Sequence, residues 1–155
     1  MIDIAVIAPG CTVSVEPATW RDLNSLRQIE KACFPLDAWP IWDLIGVLTL
    51  PDVVRLKTVC DGKMVGFIAG DLRRTQGMVW IATIGVLPEY RGRGIGSALL
   101  LACEEKMGLP RVRLCVRKSN LAAIRLYQRL GYEKYEEWAR YYQDGEAALV
   151  MEKLR

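Results

Sequence analysis

The stretch from Met78 to Met107 constrains the fold of this chain most, because it changes from a strand pattern to a helix pattern through closely spaced glycines. β-Branched and aromatic residues dominate "MVWIATIGV", and Gly92, Gly94 and Gly96 then stand at every second position. From Gly94 onward the apolar residues repeat with a helical period. A strand, a glycine loop and a helix in this order direct backbone N–H groups at one place. We therefore expect an anion site, with phosphate as its natural ligand.

Strand and helix patterns alternate along the rest of the chain. The pairs Asp61-Gly62 and Asp144-Gly145 predict two tight β-hairpins, and Asn120 predicts the start of a helix. The predicted order from Thr12 on is β-α-α-β-β-β-α-β-α-β-β. This order indicates an α/β fold, with a mixed, mostly antiparallel, twisted sheet of about seven strands and helices on both faces.

Length and composition limit the classes of function. A chain of 155 residues with 52% hydrophobic content has the size of one domain, which we assign to residues 1–155. The net charge of +3, with both signs interspersed, gives no reason to expect nucleic-acid binding. Histidine is absent, which excludes every catalytic triad that uses imidazole and removes the commonest metal ligand. We expect no metal site.

The cysteines and the apolar pattern suggest where the protein works. The five cysteines are widely separated and form no CxxC pair; they are Cys11, Cys33, Cys60, Cys103 and Cys115. Their odd number favours reduced thiols. No apolar run approaches the roughly 20 residues that span a bilayer, and "MIDIAVIAPG" lacks the basic start of a secretion signal. These observations predict a cytoplasmic protein without a membrane partner.

The spacing of the glycines separates this loop from two nucleotide-binding motifs. A Walker A loop requires a lysine that is missing here, and a dinucleotide fingerprint requires G-x-G-x-x-G. In contrast, "RGRGIG" resembles the [QR]-x-x-G-x-[GA] pyrophosphate loop of the GCN5-related N-acetyltransferases, with Arg91, Gly94 and Gly96 at the defining positions. The segment "VRKSNLAAIRLYQRLGY" resembles the second conserved block of that family. The resemblance extends over nearly the whole predicted element order, and it implies a sheet splayed between its fourth and fifth strands.

The resemblance implies acetyl-CoA as the cofactor, with CoA as a product. Residues at the strand end would pair with the pantetheine arm as an added strand would; they are Ile84, Gly85 and Val86. Asn120 would hydrogen-bond the same arm, and Tyr127 would lie near its sulfur. The pyrophosphate would be bound by the glycine loop and the first turn of the next helix, with charge-assisted contacts from the two arginines. These residues are Arg91, Gly92, Arg93, Gly94, Ile95, Gly96 and Ser97.

Acetyl transfer to an amine requires a neutral nucleophile, a polarised thioester carbonyl and a proton for the departing thiolate. A backbone N–H near Val86 could polarise the carbonyl. Tyr127 lies seven residues after Asn120, about two helical turns along one face, and is our candidate general acid; alternatively it is a core tyrosine. The position where relatives often have a Glu or His base holds Cys115, whose thiol has an ordinary pKa of about 8.5. Asp37 is a further candidate, offset by one residue from a loop carboxylate of some relatives.

Four segments favour a subfamily. "IEKACFP", "LCVRKSN", "LYQRLGYE" and "ARYYQDGEAALVMEK" resemble the RimI-like protein N-terminal acetyltransferases. This resemblance implies that the acceptor is a protein or peptide N-terminus and that Tyr141 and Tyr142 bind its first residues; alternatively these tyrosines are strand surface residues. Trp39 belongs to an apolar segment, residues 36–48, that either lines the acceptor site or packs a helix on the sheet.

Three hypotheses follow for an acyltransferase-like chain of this kind. The first is acetyl transfer to an N-terminal α-amine, on a ribosomal protein for example, by direct attack in a ternary complex. The second is acetylation of a small-molecule amine, and the third is an acyl-CoA sensor without catalytic activity. The sequence is compatible with a monomer or a homodimer.

Overall fold

The computed structural model describes residues 2–8 and 10–155. From β2 onward the elements follow the predicted order, and β1 is a strand that the sequence pattern did not predict. In chain order the elements are β1 (Ile2–Ala8), β2 (Cys11–Pro17), α1 (Leu23–Cys33), α2 (Ile41–Thr49), β3 (Val53–Cys60), β4 (Lys63–Arg73), β5 (Met78–Val86), α3 (Ile95–Met107), β6 (Arg111–Arg117), α4 (Leu121–Arg129), β7 (Glu133–Trp138) and β8 (Ala148–Leu154).

All eight strands form one sheet, in the order β1-β2-β3-β4-β5-β6-β8-β7. Neighbouring strands are antiparallel except β5 and β6, which are parallel. These two strands pair only from Met78 to Trp80 against Arg111 to Arg113 and then separate. They are the fourth and fifth of the predicted strands, so both the mixed sheet and its splay are confirmed. The separation leaves an opening in the middle of the sheet.

Helices cover both faces of the sheet, as predicted. On one face, α1 and α2 pack against β4: Leu26, Ile29 and Leu44 share a buried cluster with Phe67. On the other face α3 lies over the centre of the sheet, and its buried residues are Ile95, Ala98, Leu99, Leu100, Ala102, Cys103, Glu104 and Met107. Burial of these apolar side chains is the main force that holds the two layers on the sheet. No helix in the described part of the chain is long and apolar enough to cross a membrane.

A bulge in β5 decides which side chains face the opening. Ala69 pairs with Thr83 and the next residue, Gly70, pairs with Ile81, so β5 carries one extra residue, Ala82. As a result Ile81 lies in the core beneath α3, whereas Thr83 reaches α1. The bulge therefore directs a polar side chain toward the α1 face beside the opening.

Two short-range predictions have different outcomes at the hairpins. Asp61 and Gly62 connect β3 to β4 with φ angles of 49° and 78°, as the predicted tight turn requires. The prediction for Asp144 and Gly145 is confirmed in part: antiparallel β7 and β8 flank the pair, and the Gly145 N–H donates to the Tyr142 carbonyl, but the connection is the longer loop 139–147 rather than a two-residue turn. The Asp144 carboxylate accepts a hydrogen bond from the Glu146 N–H and a further one from Arg117, which favours the wider loop.

The expectation of reduced thiols is wrong for two of the cysteines. Cys11 and Cys60 form a disulfide, and their Cα atoms are 5.8 Å apart. β2 and β3 are antiparallel and Cys60 stands opposite Val13, which brings Cys11 close to Cys60 although 49 residues separate them in sequence. The remaining cysteines, Cys33, Cys103 and Cys115, are free thiols.

Candidate active site

A cavity of about 830 Å³ occupies the opening between β5 and β6. Its walls come from β5, from α1 and the loop after it, from the first turn of α3, and from α4 and the 139–147 loop. At one end lie the glycine loop residues Gly92, Gly94 and Gly96, and at the other end lie Tyr141 and Tyr142. The site is therefore one continuous space rather than two separate pockets.

The glycine loop has the geometry that anion binding requires. Gly92 and Gly94 have φ angles of 74° and 80°, in the left-handed region that glycine adopts without strain. α3 begins directly after Gly94, and no side chain in the described part of the chain caps this end of the helix. Its first N–H groups, which have no partner within the helix, are thus available to a ligand, and the helix dipole favours negative charge there. The loop and the start of α3 can therefore bind an anion.

The two arginines of the loop differ in position. The Arg91 Nε donates a hydrogen bond to the Val86 carbonyl at 3.0 Å, which joins the loop to the end of β5, and Arg91 lines the cavity. The Arg93 guanidinium lies over the Tyr90 ring, 5.4 Å from its centroid, and Arg93 is not among the residues that line the cavity. The other residues predicted for the cofactor all line it.

The end of β5 offers the open edge that was expected for the pantetheine arm. Beyond Trp80, β5 pairs with β4 on one side and has no pairing with β6 on the other. Ile84, Gly85 and Val86 line the cavity there. Asn120 stands across the cavity, and its Oδ1 accepts a hydrogen bond from the Ala123 N–H at 3.2 Å, so it caps α4 as predicted.

Tyr127 lines the cavity from α4 and is largely buried, with 6% of its surface exposed. Its ring packs edge-on against Tyr132, with centroids 6.0 Å apart. Burial raises the pKa of the Tyr127 phenol to about 12. The hydroxyl therefore keeps its proton near neutral pH, which suits a proton donor and not a base.

Cys115 and Asp37, the two candidates for a base, both line the cavity. Burial raises the pKa of the Cys115 thiol to about 11, so the thiol is uncharged near neutral pH and is a poor proton acceptor. The Asp37 carboxylate accepts two hydrogen bonds from Arg117, each of 2.9 Å. It is thus already bound by a cation, which makes it a weak proton acceptor.

Arg117 is a site residue that sequence reasoning missed. In addition to Asp37 it binds Asp144 at 2.9 Å and Glu146 at 3.0 Å, and its guanidinium lies 4.2 Å from the centroid of the Tyr142 ring. One side chain at the end of β6 therefore connects the loop after α1 with the 139–147 loop. The acidic residues lie far away in sequence, and no local pattern relates them to Arg117.

Aromatic side chains line the acceptor end. The rings of Tyr141 and Tyr142 are perpendicular with centroids 5.0 Å apart, and Tyr141 also contacts Trp138. Trp138 stacks on Trp80, which lines the cavity on β5. Trp39 lines the cavity too, whereas other residues of the 36–48 segment pack in the core beside α1; these are Leu44, Val47 and Leu48. The segment thus contributes both to the cavity wall and to helix packing; an acceptor role for Trp39 stays a prediction.

Glu30 is the second site residue that sequence reasoning missed. It lines the cavity from α1 with 2% of its surface exposed, and its Oε1 accepts a hydrogen bond from the Thr83 hydroxyl at 2.8 Å. Burial raises the pKa of this carboxyl, although the Thr83 hydroxyl and the Trp39 peptide group lower it in part. A signal was present: Glu30 follows Leu26 by four residues, so a charged residue occupies the buried stripe of α1.

Known proteins resemble this chain along most of its length. Residues 23–132 match the sequence profile of the Acetyltransferase (GNAT) family. An uncharacterized N-acetyltransferase of Methanocaldococcus jannaschii is 33% identical, over 87% of this chain and 87% of the relative. An N-alpha-acetyltransferase of Sulfurisphaera tokodaii is 29% identical, over 97% of this chain and 98% of the relative.

A solved structure agrees with the sequence matches. The crystal structure of the ribosomal-protein-S18-alanine N-acetyltransferase from Escherichia coli superposes with a TM-score of 0.84 at 26% identity, over 92% of this chain and 94% of that one. The family profile covers the glycine loop, the open β5 edge and α4. This chain is therefore an acetyltransferase of the GNAT family.

Proposed function

We propose that this protein transfers the acetyl group of acetyl-CoA to the α-amino group at the N-terminus of a protein or peptide. The observation that carries the proposal is the single cavity, which joins an anion-binding glycine loop to an aromatic acceptor end past the open edge of β5. The printed names of two relatives, an N-alpha-acetyltransferase and a ribosomal-protein-S18-alanine N-acetyltransferase, support the same class of acceptor.

The cofactor residues act by position and by backbone hydrogen bonding. The first N–H groups of α3 and the loop from Gly92 to Gly96 bind the pyrophosphate, and the free edge of β5 from Ile84 to Val86 pairs with the pantetheine arm. When bound, acetyl-CoA supplies a thioester whose carbonyl carbon an amine can attack. A backbone N–H near Val86 polarises that carbonyl.

Tyr127 acts as the general acid. Its phenol is buried at the cavity wall and keeps its proton because its pKa is raised to about 12. It gives that proton to the departing sulfur, so that a thiol and not a thiolate leaves. Because the Cys115 thiol is uncharged near neutral pH, we propose direct attack of the amine in a ternary complex without an acetylated cysteine.

The acceptor end favours a peptide over a small polycation. Tyr141, Tyr142 and Trp39 offer ring faces and hydroxyl groups to the first residues of a chain. Asp37 and Asp144 are both bound by Arg117, so these two carboxylates do not form an unpaired acidic cluster for a polyamine. An α-amine is also easier to deprotonate: the neutral form costs about 1 kcal/mol at pH 7, against about 4.6 kcal/mol for a lysine side chain.

A CoA-release assay with acetyl-CoA and a panel of acceptors tests this proposal. The panel contains short peptides with free N-termini, the same peptides with blocked N-termini, polyamines and amino acids. We expect turnover with free peptides and none with blocked ones. Turnover with small amines alone would replace the proposal by small-molecule acetylation, and binding of acetyl-CoA without any turnover would support a sensor. A cytoplasmic location, a single domain over residues 1–155 and a monomer or homodimer stay predictions.

A further inference from the structure

Glu30 carries a buried carboxylate that is only half satisfied. Its Oε1 accepts the Thr83 hydrogen bond, whereas among the described residues no donor completes a hydrogen bond to its Oε2; the Trp39 peptide group is near the carboxyl. Only 2% of the surface of Glu30 is exposed, and the residue still lines the cavity. An unpartnered oxygen of this kind normally costs a folded protein stability, so its presence on the wall of an active site calls for a functional reason.

Glu104, the other buried glutamate, differs from Glu30 in having partners for its carboxylate. Glu104, on the opposite face of the sheet, accepts a hydrogen bond from Tyr132 at 2.6 Å and pairs with Lys153 at 2.9 Å. Among the described residues no lysine or arginine pairs with Glu30. The Glu104 carboxylate has its hydrogen-bond and ion-pair partners and does not line the cavity. Glu30 lines the cavity, and its Oε2 can still accept a proton.

The location of Glu30 suits a reaction at the thioester. Its partner Thr83 precedes Ile84 and Val86, the β5 residues whose open edge would hold the pantetheine arm. The peptide group of Trp39, at the acceptor end, lies near the same carboxyl. The carboxylate thus lies beside β5 at Thr83 and near the peptide group of Trp39.

The groups that surround Glu30 do not compete for the proton. On β5 the Thr83 hydroxyl contacts it, and on β4 the apolar Phe67 and Ala69 belong to the buried cluster that includes the α1 residues Leu26 and Ile29. Cys33, on α1 itself, is the titratable neighbour that senses the charge of Glu30, and burial raises its pKa so that the thiol stays neutral.

We propose that Glu30 is the base that removes a proton from the acceptor ammonium. This inference rests on the proposed acetyl transfer. It assigns the base to Glu30 because Cys115, at the position where relatives often have a Glu or His base, is a poor proton acceptor. Glu30 takes one proton, which reaches solvent during turnover, and the neutral nitrogen attacks the thioester carbon. As the C–N bond forms and the C–S bond breaks, the sulfur takes a proton from Tyr127, and the second proton lost by the nitrogen restores that phenol.

A buried carboxyl such as that of Glu30 is suited to act as a base for an amine. A base works best when its pKa approaches that of the group it deprotonates, and burial moves the pKa of Glu30 upward from its ordinary value, toward that of an amine. Deprotonation by Glu30 matters most at low pH. An α-amine with a pKa near 8 is about 10% neutral at pH 7 and about 1% neutral at pH 6.

The test is the pH dependence of kcat/KM for Glu30→Gln with the acceptor that the wild type uses. A glutamine carbonyl can still accept the Thr83 hydrogen bond, so the fold should persist. We expect a loss of about ten-fold at pH 7 and about 100-fold at pH 6, which disappears near pH 9 where the amine is neutral without help. Glu104→Gln is the matched control: it lowers stability but leaves the shape of the pH profile unchanged.

The results test the role of Glu30 separately from the identity of the acceptor. A wild-type rate of Glu30→Gln at pH 6, or a loss that is the same at every pH, would overturn the role of Glu30. If the wild type acetylates small amines and no peptide, the proposed acceptor is wrong, but the same pH comparison with the small amine still decides about Glu30. If Glu30→Gln does not fold, the pH dependence of kcat/KM is measured for Glu30→Asp instead. The shorter side chain displaces the carboxylate, so a pH profile equal to that of the wild type would contradict the role of Glu30 as the base.

Discussion

Arg117 and Asp37 lie 80 residues apart in sequence and are joined by a bidentate ion pair at the acceptor end of the cavity. The pair fixes the loop after α1 to the end of β6, and the same guanidinium binds Asp144 in the 139–147 loop. Trp39 belongs to the first loop, and Tyr141 and Tyr142 belong to the second. The position of the aromatic residues therefore depends on one arginine.

Replacement of Arg117 by lysine should weaken acceptor binding in particular. Lysine cannot make the forked contact to a carboxylate, so both loops lose their common anchor. We expect KM for a peptide to rise about ten-fold, in line with the roughly 1.4 kcal/mol that such a factor represents, while the Kd for acetyl-CoA stays the same. Steady-state kinetics and calorimetry measure the two quantities. Arg113→Lys, on the same strand but paired with Glu152 and outside the cavity lining, is the control; an equal rise of KM in both variants would contradict the account.

Tyr127→Phe should lower kcat by about 100-fold, because a general acid contributes a factor of this size. The ring remains in place beside Tyr132, so the affinity for acetyl-CoA should not change. Tyr135→Phe, on the exposed face of β7, serves as the control. Unaltered turnover of Tyr127→Phe would remove the phenol from its role.

The pH profile offers a second check on Tyr127. A proton donor fails as the pH rises through its pKa, and burial sets that pKa at about 12. The wild type should therefore show no alkaline loss of kcat from this group below about pH 10. A loss that is centred near pH 10 and is absent in Tyr127→Phe would show that the phenol has the ordinary pKa of a tyrosine.

Gly96→Asp should abolish tight binding of acetyl-CoA. Gly96 lies on the first turn of α3 outside the left-handed region, and a Cβ there would meet Leu126 Cδ2 at 3.4 Å, an ordinary contact. The new carboxylate is favourable for the helix itself but repels a pyrophosphate at the same place. We expect at least a ten-fold rise in Kd for the aspartate, and a rise of less than about three-fold for Gly96→Ala. Similar affinities of the two variants would contradict a phosphate site here.

Reduction of the Cys11–Cys60 disulfide should destabilise the protein without affecting the site. The bond closes a loop with a sequence separation of 49, for which chain entropy predicts about 4 kcal/mol of stabilisation. Urea unfolding with and without reductant measures this difference, and Cys11→Ser should be insensitive to reductant. Mass spectrometry that finds Cys11 and Cys60 alkylated in the untreated folded protein would contradict the pairing.

Local signals predicted those parts of the fold that depend on neighbouring residues. The turn at Asp61 and Gly62, the cap at Asn120 and the glycine loop before α3 follow from backbone preferences that a few residues determine. For the same reason the cofactor end of the site was largely predictable. Arg93 is the exception: stacking on Tyr90, a tertiary contact, keeps it away from the cavity.

The acceptor end depends on contacts between distant segments, and these could not be predicted from one sequence. Glu30 meets Thr83 across 53 positions because a bulge in β5 turns that hydroxyl toward α1. Cys11 and Cys60 meet because of the register between β2 and β3. Asp144 looked like part of a tight turn, but its carboxylate binds Arg117 and belongs to a longer loop. In each case the residue type was visible and its partner was not.

The central claim is that this acetyltransferase modifies N-terminal α-amines, and the site of acetylation tests it most directly. A peptide with a free N-terminus and an internal lysine is incubated with enzyme and acetyl-CoA, and fragmentation by mass spectrometry locates the acetyl group. We predict that the group is on the N-terminal nitrogen and that a peptide with a blocked N-terminus is not acetylated. Acetylation of the lysine side chain in both peptides would contradict the claim.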